Sequence, residues 1–127
     1  EYNLTGQIER YIDSLRIIRY GETKDPSQNR FFNVDSATRV AIFNSGIVGQ
    51  NIYSIYTTKK IAPITGWFDK DAVFYQAHGL NVKDFDEIPN TEFDKIIIAN
   101  LDEKSILSAL KILEKFKIDP HKIITLL

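Results

Sequence analysis

The run "DKIIIAN" (94–100) constrains the fold more than any other part of the chain. Three successive isoleucines and an alanine leave no polar face, so a strand built from them must be covered on both sides. That places it in the middle of a parallel sheet. "RVAIFN" (39–44) has the same character, and each run leads directly into a helical pattern. After the first comes "GIVGQNIYSIYTTKK", with Ile47, Val48, Ile52, Ile55 and Tyr56 on neighbouring faces. After the second comes "DEKSILSALKILEKF", with Asp102 at the N-cap and Ile106, Ala109, Leu110, Leu113 and Phe116 facing inward. "APITGWFD" reads as the second strand, with Trp67 and Phe68 facing opposite layers, and "LNVKDF" as a weaker third. "DEIPN" is a turn or short helix, "DPHK" a turn, and "IITLL" a fifth strand.

Strands separated by helices imply right-handed crossovers and a parallel sheet. The expected architecture is therefore α/β: a Rossmann-like three-layer sandwich of sheet order 3-2-1-4-5. It spans residues 39–127 and follows an N-terminal extension, residues 1–38. In that extension "NLTGQIERYIDSLRIIRYG" sets Leu4, Ile8, Tyr11, Ile12, Leu15 and Ile18 on one helical face, and Gly21 stands where the helix ends. "ETKDPSQNRFFNVDSAT" is a connector whose Phe31 and Phe32 tuck against the core.

In such a sheet a ligand lies beyond the carboxyl ends of the strands, where the order reverses. The residues expected there are Asn44, Ser45, Gly46, Ile47, Val48 and Gly49, then Asp69, Lys70 and Asp71, then Asn100, Leu101 and Asp102. Gly46 lets main chain approach a pyrophosphate, Gly49 lets helix lie close to strand, and the helix start offers N–H groups to an anion. Asp69 follows Gly49 by 20 residues, the spacing of a carboxylate that accepts both ribose hydroxyls. It would repel a 2′-phosphate, which favours NAD over NADP; Lys70 tempers that preference. Asn44 stands where the fingerprint has its first glycine, and asparagine is one of the few other residues that accept a left-handed backbone. His78 is a loop residue on the ligand side.

These segments, "RVAIFNSGIVGQNIY", "ITGWFDKD", "HGLNVKDFDEIP", "FDKIIIAN" and "LEKFKIDPHKII", resemble the Rossmann-type domain of bacterial surface-polysaccharide biosynthesis proteins. That family includes the N-terminal domains of capsule-type nucleotide-sugar dehydratases and epimerases, and domains preceding sugar acetyltransferases. The resemblance covers about residues 39 to 126. It implies a cytoplasmic domain that binds NAD(P) or a nucleotide sugar. It matches Gly46 and Gly49 to the phosphate-loop glycines, Asp69 to the acid after the second strand, and His78-Gly79 to a small turn before the third. The chain departs from the family at Asn44 and at Lys70, where a second acid is usual.

Other function classes find little support. A net charge of −1 lacks the basic footprint of a nucleic-acid binder, so no nucleic-acid partner is expected. The chain has no cysteine, and its two histidines stand apart from clustered acids, so no metal site is expected. No apolar run reaches the length of a membrane span. Tyr56 and Lys60 have the Tyr-x-x-x-Lys spacing of a catalytic pair but sit on the first crossover helix, where packing is the expected role. No nucleophile–base pair emerges. Starting at Glu1 with no methionine, the chain reads as a domain of a larger enzyme whose catalytic part lies elsewhere. The alternative is a ligand-free interaction module of a glycosyltransferase- or methyltransferase-type protein, docking its first helix on a partner domain or a second copy.

Overall fold

The computed structural model describes residues 30–125, and the amphipathic helix expected before Gly21 lies outside them. Four strands form one all-parallel sheet: β1 (Val40–Phe43), β2 (Ile64–Phe68), β3 (Lys95–Ile98) and β4 (Ile123–Ile124), in the order β2-β1-β3-β4. Among the described residues three α-helices link them: α1 (Ile47–Thr58), α2 (Ala72–Ala77) and α3 (Glu103–Lys115). The fold is thus α/β with a parallel sheet, but the five-stranded order 3-2-1-4-5 is not formed. The segment expected as third strand contributes a single bridge, Lys83 to Phe68. Lys83 N donates to Trp67 O (2.8 Å) and Asp69 N to Lys83 O (3.0 Å), and there the pairing stops. Asp84 ends it, because its carboxylate accepts from Asp86 N (3.1 Å) and starts the 3-10 turn Phe85–Asn90.

The unbroken apolar strands are covered on both faces, as their composition demands. Along β1 and β3, Val40, Ile42, Ile97 and Ala99 join a cluster with Ile52, Ile55 and Tyr56 of α1 and with Trp67. Their neighbours Ala41, Phe43, Ile96 and Ile98 join Ile106, Ala109 and Leu113 of α3, and Phe68. Trp67 and Phe68 do face opposite layers. The Trp67 ring stacks on Tyr53 at 4.6 Å and Phe43 stacks on Phe85 at 4.4 Å. Phe31 and Phe32 are core residues, so the packed unit reaches N-terminal of Arg39. Tyr56 is buried, its hydroxyl donates to Phe31 O, and burial pushes its phenol far above the usual range. It is a packing residue. Lys60, in the left-handed region at φ 53°, is exposed just beyond the helix.

Before the strands, Arg39 joins β1 to β3. Its guanidinium meets Asp94 at 3.0 and 3.2 Å and Glu92 at 3.1 Å, and its own N–H donates to Asp94 Oδ2 (2.8 Å). Side-chain and then main-chain hydrogen bonds from Arg39 lower the Asp94 carboxyl from 3.8 to about 2. A depressed folded-state value stabilises the protein above the unfolded value, and that contribution is lost as pH falls through the folded one. Acid unfolding of the wild type should therefore steepen between about pH 4 and pH 2, in part through Asp94. Asp94→Asn should flatten that limb of a stability–pH curve. An unchanged limb would remove Asp94 from the account.

Candidate functional site

β1 lies between β2 and β3. α1 leaves toward β2 on one face of the sheet, and α3 leaves toward β4 on the other. Chain leaving a central strand in opposite directions opens a crevice at the carboxyl ends. A cleft of about 440 Å³ occupies that place, lined by Asn44, Gly46, Ile47 and Val48 on one side. Asp69, Lys70, Asp71 and Tyr75 contribute after β2, and Asn100, Asp102 and Ser105 after β3.

Asn44 has φ 88°, so it takes the left-handed turn in glycine's stead. It also ties three strand ends together. Its N–H donates to Phe68 O (2.7 Å), its carbonyl accepts from Trp67 Nε1 (3.0 Å), and its amide donates to Asn100 Oδ1. Gly49 lies against that same carbonyl: a Cβ there would stand 2.2 Å from Asn44 O. At Gly46 an added Cβ would meet nothing within 4 Å.

The two helices that begin at the cleft differ at their ends. Asp102 caps α3 by accepting from Ser105 N (2.9 Å). α1 begins at Gly46 with no side-chain cap, and its first internal bond is Gln50 N to Gly46 O (2.9 Å). The opening N–H groups of a helix have no intrahelical acceptor, so the α1 end is the better seat for an anion. Gln50 Nε2 folds back to Ser45 O (2.8 Å) and stiffens the turn.

Asp69 is almost fully buried, at 6% exposure, and both its oxygens are engaged. Oδ2 accepts from Ser45 N (2.9 Å) and Oδ1 from Asp71 N (2.8 Å), so the carboxylate pins the loop after β1 to the loop after β2. Ser45 is fully buried and does not line the cleft. Burial first, then the charges of Asp69 and Asp71, push the Tyr75 phenol up, while the nearby Ser45 hydroxyl opposes this. Among the described residues the buried Ser45 Oγ has no hydrogen-bond partner.

Of the expected residues, Asn44, Gly46, Ile47, Val48, Asp69, Lys70, Asp71, Asn100, Leu101 and Asp102 share the cleft, while Ser45 and Gly49 support it from beneath. Ile47, at the start of α1, is 55% exposed. His78 does not line the cleft. It is exposed, with Nδ1 2.9 Å from Phe74 O and its ring against Phe74.

Asp71 stands on the cleft wall, as its place after β2 implies, whereas Tyr75 and α2 itself were not legible beforehand. α2 has six residues, and Val73 and Phe74 are exposed on it at 81% and 57%, so its apolar spacing marks no buried stripe. The only signal was Asp71 three residues ahead of Phe74, a weak start mark. Among the described residues no group of three or more His, Cys, Asp or Glu is placed to hold a metal ion, and no helix is long and apolar enough to cross a membrane. Comparison with protein-family models, with curated proteins and with solved structures finds no match to this chain.

Proposed function

We propose that this chain carries a Rossmann-like nucleotide-binding domain, serving a larger enzyme of surface-polysaccharide or glycan biosynthesis. The observation that carries the binding part is the cleft between β1 and β3, with the uncapped α1 start and bare Gly46 on its wall. A pyrophosphate at that end gains main-chain N–H donors and the positive end of the helix dipole. A volume of about 440 Å³ lies within the range of small-ligand sites. Carboxylates on the β2 side of the cleft suit ribose hydroxyls and disfavour a 2′-phosphate, so NAD or a nucleotide sugar is the better ligand and NADP the poorer. The cleft residues form no nucleophile–base pair, which fits binding and orientation rather than bond breaking. The glycan assignment rests on the sequence resemblance alone.

Calorimetry of the 127-residue chain against ADP, NAD, NADP, UDP and a UDP-sugar tests this reading. Gly46→Ala supplies the specific control. The new methyl meets open space, so it should cost under about 1 kcal/mol of stability. It intrudes where the phosphate would approach, and should weaken binding about 10-fold or more. No binding of any of these ligands at millimolar concentration would sink the proposal. The chain would then be better read as an interaction module, for which the exposed Val73 and Phe74 of α2 speak.

A further inference from the structure

We propose that Asp71, rather than Asp69, receives the ribose hydroxyls of a nucleotide in this cleft and sets the discrimination against a 2′-phosphate. The inference rests on the nucleotide-binding reading and adds the residue that performs the recognition. Three aspartates line the cleft, and two are committed elsewhere. Asp69 is buried with one main-chain N–H on each oxygen, from Ser45 at 2.9 Å and Asp71 at 2.8 Å. Each oxygen keeps a second lone pair, but at 6% exposure the residue offers the cleft little, and turning it outward would release the buried Ser45 N–H and leave a donor unsatisfied. Asp102 holds Ser105 N at 2.9 Å and closes the start of α3.

Asp71 differs from both. It is exposed and lines the cleft, and although it stands at the N-cap of α2 its side chain makes no capping bond. Among the described residues none hydrogen-bonds its carboxylate. Its main chain is fixed all the same, by Asp71 N to Asp69 Oδ1 and by Tyr75 N to Asp71 O (3.3 Å). A fixed backbone carrying an uncommitted two-oxygen acceptor matches two vicinal hydroxyls, each of which needs one acceptor. Asp71 shares the cleft with Gly46, Ile47 and Val48, so a nucleotide with its phosphates at the α1 end can present its ribose to it. A phosphate in place of the 2′-hydroxyl would set two anions face to face. Lys70 next to it is the cation that would soften this repulsion.

The test measures affinity of the full chain for ADP and for adenosine 2′,5′-bisphosphate, in wild type, Asp71→Ala and Asp71→Asn. The wild type should prefer ADP. Asp71→Ala should lose about 10-fold in ADP affinity and narrow the preference by a similar factor. Asp71→Asn removes only the charge, so it should narrow the preference while keeping more of the ADP affinity. Thermal unfolding of both variants should match the wild type, since no described contact of that carboxylate is lost. Wild-type ADP binding with Asp71→Ala unchanged in affinity and preference would overturn the assignment and leave the nucleotide reading standing. Wild-type binding of neither ligand would overturn both.

Discussion

Gly49→Ala is expected to destabilise the domain by about 3 kcal/mol or more, lowering its Tm by about 10–20 °C. The new methyl would stand 2.2 Å from Asn44 O and 3.0 Å from Asn44 C, and both are main-chain atoms. A flexible side chain can swing clear of such a contact, but this carbonyl has nowhere to go. It accepts from Trp67 Nε1, and it belongs to a residue held by Phe68 O and Asn100. Relief requires α1 to lift away from β1, which opens the cluster around Val40, Ile42 and Ile52. Urea melts of the two proteins decide the matter, and equal midpoints would mean that α1 can move away from β1 without cost. Gly46→Ala, three residues earlier and facing open space, should show little of this loss.

Asp69→Ala should cost about 2–4 kcal/mol in the absence of any ligand. The substitution strips the acceptor from two main-chain N–H groups at once, and Ser45 is fully buried, so water cannot replace the lost bond there. Asp69→Asn keeps one acceptor oxygen and turns an NH₂ toward the other donor, so it should fall between alanine and wild type. Hydrogen exchange separates this from a general loss of stability: the Ser45 and Asp71 amides should lose more protection than the β3 amides. A residue used only to hold a ribose would leave the unliganded protein as stable as before. An unchanged melt of Asp69→Ala would therefore mean that this carboxylate is not what holds the two loops together.

The parts of the fold that could be read from the sequence are those where composition leaves one choice. Ile96–Ala99 has no polar face, so its double cover by α1 and α3 follows from the hydrophobic effect alone. Asn44 was legible for the same kind of reason, since few residues other than glycine tolerate its backbone angle. The segment after β2 was not. Whether Leu80–Phe85 becomes a strand depends on competition between ladder bonds and the Asp84 side chain, and local capping prevailed over pairing. The commitment of Asp69 was hidden as well. Spacing puts a carboxylate at the end of β2, but only folding reveals which donors reach it, and here Ser45, 24 positions earlier, claims one oxygen. Periodicity reports which face is buried and carries no account of where lone pairs are spent.

The knot of bonds around Asn44 bears on the thermodynamics of whatever enters the cleft. Because the loops after β1, β2 and β3 are already fastened to one another, the entropy of ordering them is surrendered during folding. A guest would meet a rim preorganised for it and would need to still little more than its own rotors and the Asp71 side chain.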